Sequence, residues 1–132
     1  MSKYIALVDC DSFFCSCERK LNPELNCKPL CVVSSERGCV IARSKEAKAI
    51  GIKMGDPLFK AVEEHPNCIY MVANHHNYLA ISKQIMYILK DLSPNVEIYS
   101  IDEAFVDVTG LVKVYNKKLL YDGKIHSGQN LE

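Results

Sequence analysis

Residues 3–8 (Lys-Tyr-Ile-Ala-Leu-Val) form a short, nearly continuous apolar run that stops at Asp9. The length is that of a strand. Its lack of alternation predicts burial on both faces, as at a central sheet position. Residues 13–21 read as a helix closed by Asn22-Pro23. Two further strands are expected at 29–34 and 39–42, with Ser35-Glu36-Arg37-Gly38 turning between them. Ser44 then caps a short helix that stops at Gly51, and Pro57 sits in the first turn of another that runs to about Glu64. Residues 68–72 are again a strand. The clearest helix follows, because Tyr78, Ile81, Ile85, Ile88 and Leu92 step by three and four residues along one apolar stripe. Asn74 or Asn77 is its expected cap, and Ser93-Pro94 ends it. Residues 96–101 and 104–108 both alternate, as the arms of a hairpin with one covered face do, with Asp102-Glu103 near the junction. Residues 111–132 lack periodicity and are expected to form a frayed or non-native tail.

The 132 residues suit one domain, and 48% apolar with 24% charged residues is an ordinary globular composition, which argues against disorder. No apolar run approaches the ~20 residues needed to span a bilayer, and the first residues lack a signal peptide's apolar stretch. A cytoplasmic protein without membrane contact is therefore expected. Seven cysteines, an odd number without a secretion signal, predict reduced thiols that serve as small apolar residues. They form no Cys-x-x-Cys, and the four histidines complete no zinc-ligand spacing with them.

Zero net charge hides a segregation. Residues 37–60 hold six basic groups against two acidic ones, whereas residues 91–107 hold five acidic groups and no basic one. Such segments suit a phosphate and a metal respectively, although on charge alone both read first as solvated faces. Asp9 ends the first strand and Asp102-Glu103 lie at the final hairpin. If those strands are sheet neighbours, three carboxylates converge. Like charges that close need a counter-charge, and a hard divalent cation such as Mg²⁺ supplies it. Two such ions form the clamp used in phosphoryl transfer. Surface turns produce the same spacing, so the spacing leaves both readings open.

The residues themselves decide between them. Val8-Asp9-Cys10-Asp11-Ser12-Phe13-Phe14, followed by Cys17-Glu18, resembles the opening motif of the Y-family DNA polymerases. The run from Gly38 through Arg43, Lys45 and Lys48 to Gly55 is similar to the family's fingers segment, and Tyr99-Ser100-Ile101-Asp102-Glu103-Ala104-Phe105 to its third motif. Gly-Cys-Val-Ile-Ala-Arg and Ile-Lys-Met-Gly favour the UmuC branch. The resemblance covers roughly residues 4–111.

This resemblance implies template-directed DNA synthesis across damaged bases, using dNTPs and two Mg²⁺ ions. Asp9 and Asp102 match the metal-binding aspartates, with the Cys10 carbonyl as a further ligand, and Glu103 matches the catalytic glutamate. Phe14 takes the place of the steric gate, an aromatic ring under the deoxyribose that excludes a 2′-hydroxyl. Ser12 and Phe13 offer backbone N–H groups to the triphosphate at a helix start. Arg43, Lys45 and Lys48 supply positive charge. Family members often carry a Tyr and an Arg where this chain has Lys45 and Lys48, so only point charges remain. Lys48 is the stronger candidate, and Lys45 fits solvent equally well. Gly38 and Cys39 would roof the nascent base pair, though the glycine is equally expected in a plain turn.

The fold implied is a mixed α/β palm of ferredoxin-like type, a mostly antiparallel sheet with helices on one face. Residues 1–26 and 69–110 would form the palm and residues 27–68 an inserted fingers lobe. Family polymerases continue with more palm, a thumb and a DNA-gripping domain, and past Gly110 no further resemblance is seen. Read this way the chain is an N-terminal, catalytic-core piece, inactive alone, that meets primer–template DNA and SOS or replication accessory proteins in the full-length protein. The alternative is a non-catalytic homologue that binds such a partner; a nucleotidyl cyclase fits less well, since Phe14 argues for a deoxynucleotide.

Overall fold

The computed structural model describes residues 3–111. Where the length suggests one domain, the chain divides into two compact units, Met1–Asp9 with Gln84–Glu132 and Cys10–Lys83. The expected tail at 111–132 lies, apart from Leu111, outside the described residues.

The first unit is built on strands β1 (Ile5–Asp9), β5 (Val96–Ile98) and β6 (Glu103–Asp107), antiparallel throughout in the order β1-β6-β5. The Asp9 strand thus lies beside the final hairpin, which meets the condition for the three carboxylates to converge. Ala104 and Val106 of β6 are buried and their neighbours are not, the alternation of a sheet with one covered face. The second face is open. Ile5 and Leu7 of β1 are each 57% exposed, which overturns the expectation of a doubly buried strand. Among the described residues β1 is an edge strand, and its apolar run meets no covering layer on that face. The hairpin arm also ends at Ile98, earlier than alternation suggests, because the Tyr99 and Ser100 N–H groups both turn to the Glu103 carbonyl.

In the second unit, α1 (Phe13–Leu21), a 3₁₀ turn (Pro23–Leu25), β2 (Leu30–Val33), β3 (Val40–Arg43), α2 (Lys45–Ala49), α3 (Leu58–Glu64) and β4 (Ile69–Val72) follow in order. All four β2 residues are buried at the centre of the sheet β3-β2-β4. The core beside it holds Cys31, Val33, Val40, Ala47, Ile52, Ala61 and Cys68. Strand β4 pairs with β2, and in parallel. It is the one parallel pair among the described strands; the other three pairings are antiparallel, as expected of a mostly antiparallel fold. The β3-α2-α3 segment provides the long crossover that a parallel pair requires.

Local caps account for the short helices. The Ser44 hydroxyl accepts from the Ala47 N–H at 3.2 Å and also from Leu30 N–H at 3.0 Å, so one side chain starts α2 and ties it to β2. Gly51 follows α2 at φ 98°, in the left-handed region that glycine occupies without strain. The long helix α4 (His75–Leu92) is capped by Asn74, which accepts from Asn77 N–H at 3.2 Å. Its buried line is Tyr78, Ser82 and Met86, with Ser93 just beyond the last turn; Ile88 and Leu92 of the expected stripe are 59% and 57% exposed. Small serines occupy the buried face, where a count of apolar residues passes over them. Ser93 is needed there, because its hydroxyl donates to the Asp107 carbonyl at 2.7 Å and fastens the end of α4 to β6.

Candidate functional site

Strand register makes the acidic cluster. Asp9, the last residue of β1, is the direct antiparallel partner of Glu103, the first of β6, and Asp102 precedes it in the hairpin turn. Each of the three offers a carboxylate oxygen, and these oxygens all lie within 4.8 Å of one another. Asp9 is exposed, and Asp102 and Glu103 are partly buried. Ser100 steadies the turn, its hydroxyl donating to Asp102 Oδ1 at 3.1 Å. Three hard oxygen donors converging from two strands fit a divalent cation of the Mg²⁺ or Mn²⁺ class, which prefers carboxylate ligands to nitrogen or sulfur. This set is the one group of such ligands found among the described residues.

The other sequence candidates lie in the Cys10–Lys83 unit. Cys10 is partly buried. Ser12 immediately precedes α1 in the left-handed region at φ 44° and makes no side-chain capping bond, Phe13 is buried, and Phe14 is half-buried. The Phe14 ring stacks on Tyr78 with centroids 4.6 Å apart and planes 19° from parallel, and meets His75 edge-on at 5.8 Å. Lys48 extends from α2 to the start of α1, its Nζ 3.5 Å from Ser12 Oγ. Ser12, Phe14 and Lys48 are thus held around the start of α1.

Arg43 and Lys45 are not drawn in the same way. Arg43 donates from Nη1 to the Ile52 carbonyl at 2.8 Å, and its Nε is buried without a partner. Lys45 is exposed. The Gly38 and Cys39 region is a tight turn in which Cys39 N–H donates to Ser34 Oγ. A Cβ at Gly38 would sit 2.0 Å from that same Oγ and 2.8 Å from Ser35 N. The turn alone accounts for this glycine.

Sequence reasoning passed over two residues here. Glu18 of α1 is 7% exposed, and the Tyr78 hydroxyl, on a fully buried side chain, donates to its Oε1 at 2.5 Å. Burial first, and the hydrogen bond to Glu18 second, hold the Tyr78 phenol above its ordinary value. A hint existed: Glu18 follows Cys15 and Cys17 onto the buried side of α1, where a charged residue needs a partner. That partner is distant along the chain, so no spacing rule finds it. Burial likewise pushes the neighbouring thiols up, Cys15 to about 12 and Cys17 to about 11, so both remain protonated and serve as apolar packing.

Comparison with known proteins adds relatives. The model of the impB/mucB/samB family matches residues 8–129. The match continues past Gly110, which corrects the expectation that resemblance ends there. Protein ImpB of Salmonella typhimurium is 44% identical over 108 residues, 80% of this chain and 26% of that protein. The DNA polymerase IV of Sulfurisphaera tokodaii is 38% identical over 120 residues, 87% of this chain and 34% of the relative. Among solved structures, DinB from Sulfolobus solfataricus superposes with a TM-score of 0.75 at 40% identity, covering 83% of this chain and 33% of that one. The insertion ternary complex of Dbh DNA polymerase gives 0.78 at 36%, covering 89% and 37%. The chain therefore spans about a third or less of the length of these relatives.

Proposed function

Since the chain belongs to the impB/mucB/samB family, we propose that it carries the catalytic carboxylates and the nucleotide-selecting ring of a Y-family translesion DNA polymerase. The observation that carries this reading is the meeting of Asp9, Asp102 and Glu103 from two strands far apart in sequence. Bound there, divalent cations would neutralise triphosphate charge and activate a primer 3′-hydroxyl. Asp9 and Asp102, with Glu103 and the Cys10 carbonyl, are the ligands proposed for two Mg²⁺. Glu103 would be the catalytic glutamate, helping to hold the ion that activates the primer 3′-hydroxyl. Phe14 lies under the sugar, where a 2′-hydroxyl clashes with its ring. Lys48, together with the N–H groups of Ser12 and Phe13, binds the triphosphate. Arg43 and Lys45 add positive charge to the fingers segment, and Gly38 and Cys39 cover the base pair.

Residues 1–26 and 69–110 act as palm and residues 27–68 as fingers, working on primer–template DNA in the cytoplasm during SOS repair with accessory proteins. Among the described residues no helix is long and apolar enough to cross a membrane. Titration of the chain with dATP in Mg²⁺ tests the core of the proposal. Binding of about millimolar strength is expected from charge contacts alone, and Asp102→Ala abolishes it. Identical titrations of the two proteins would refute the reading.

A further inference from the structure

Phe14 is a short aromatic at the start of a helix, and a ring can exclude one hydroxyl group only if it is held in one place. Its neighbours in the same unit do this holding. Tyr78 stacks on it at 4.6 Å with planes 19° apart, and His75 bounds an edge. Two stacked rings still slide in their common plane. Here the lower ring is pinned, because Tyr78 is 0% exposed and its hydroxyl donates to Glu18 Oε1 at 2.5 Å. Glu18 lies one helical turn beyond Phe14 on the same helix, so the contact forms a closed circuit: Phe14 to Tyr78 by stacking, Tyr78 to Glu18 by hydrogen bond, and Glu18 back to Phe14 along the backbone of α1. We propose that Glu18 and Tyr78 are positioning residues that fix the Phe14 ring and thereby set the discrimination between deoxyribose and ribose.

The inference rests on the reading of Phe14 as the sugar gate. A buried carboxylate six residues after Ser12 is costly unless partnered, and fixing a neighbouring ring is a return that an apolar residue there would not give. The bond requires only an oxygen acceptor. Glutamine at position 18 therefore preserves the circuit, whereas alanine opens it. Tyr78→Phe keeps the stacked ring and removes only the pin.

Two readouts separate this claim from the gate reading. The first is the ratio of dissociation constants for Mg·dATP and Mg·ATP. The second is the NMR signal of the Phe14 ring in protein with labelled phenylalanine, which needs no nucleotide. With Glu18→Ala and with Tyr78→Phe, the dATP preference should shrink by about two- to tenfold, the span that one aromatic pair is worth, and the Phe14 ring signals should shift or broaden. Glu18→Gln should keep both near wild type. Glu18→Gln and Tyr78→Phe are nearly isosteric, and thermal melts check that each remains folded. Unmoved Phe14 signals in folded Glu18→Ala and folded Tyr78→Phe would overturn the proposal, as would Glu18→Gln behaving like Glu18→Ala. In Phe14→Ala an unchanged nucleotide ratio would instead refute the gate reading, leaving the positioning claim to the ring signals alone.

Discussion

Removing the Asp9 charge should stabilise the metal-free protein. Its carboxylate lies within 4.8 Å of those of Asp102 and Glu103, and both pairs exist only in the folded chain, since β1 and β6 meet through tertiary pairing. The Asp102–Glu103 repulsion differs, because adjacent residues stay close when the chain unfolds. Coulomb's law in water gives about 0.9 kcal/mol per pair at that separation. Screening at physiological salt roughly halves it. Asp9→Asn, which keeps the shape, should therefore gain about 1 kcal/mol and melt about 4 °C higher in the presence of a chelator. Asp102→Asn should gain about half of that, because only its pair with Asp9 is made on folding. Added Mg²⁺ should reverse the order. At about ten times its dissociation constant, a bound ion adds about 1.4 kcal/mol to the wild type, and Asp9→Asn should gain little. Thermal melts of the three proteins with chelator and with Mg²⁺ provide the assay. The reasoning fails if Asp9→Asn melts no higher than wild type under chelation and responds equally to Mg²⁺.

Three other outcomes follow from separate parts of the structure. Gly38→Ala drives a methyl group against Ser34 Oγ and the Ser35 backbone, so chemical denaturation should show a loss of about 1–3 kcal/mol; a neutral result would mean that the turn can open freely. The Arg19 guanidinium, 2.8 Å from Glu46, lowers the Glu46 carboxyl below its usual 4.5. Its stabilisation, about 0.5 kcal/mol, is then complete above that pH and lost as pH falls through the depressed value; wild type and Glu46→Gln should differ at neutral pH and converge in acid. The Cys15 and Cys17 thiols are raised from 9.0 to about 12 and about 11. Stability should be flat below pH 9.0 and decline above it, by about 1 kcal/mol per pH unit for each thiol, and a level denaturation midpoint into that range would contradict their burial.

The parts legible in the sequence are those governed by local chemistry. Ser44, Gly51, Pro57, Asn74 and Ser93 mark helix ends because a cap or a missing N–H acts within a few residues. The neighbouring of β1 and β6 came with the palm fold that the motif resemblance implies, whereas spacing alone left it open. Failures cluster where the deciding partner is remote. An apolar run such as residues 4–8 reads the same whether covered on two faces or one, and the exposure of Ile5 and Leu7 depends on what packs there. The parallel pairing of β4 with β2 is likewise tertiary, as is the bond from Tyr78 to Glu18. In α4 the periodicity is that of a helix, but the buried line lies elsewhere, because small Ser82 sits in it and Ser93 just beyond it, and hydropathy registers neither that burial nor the Ser93 bond to Asp107.

The claim at the centre is that Asp9, Asp102 and Glu103 together bind divalent ions, and crystals soaked in Mn²⁺ with dATP test it most directly. The account predicts an anomalous-scattering peak in direct contact with the Asp9 and Asp102 carboxylates, absent from Asp102→Ala crystals treated in the same way. Saturating Mn²⁺ that leaves those carboxylates bare, or binds equally in the variant, would contradict it.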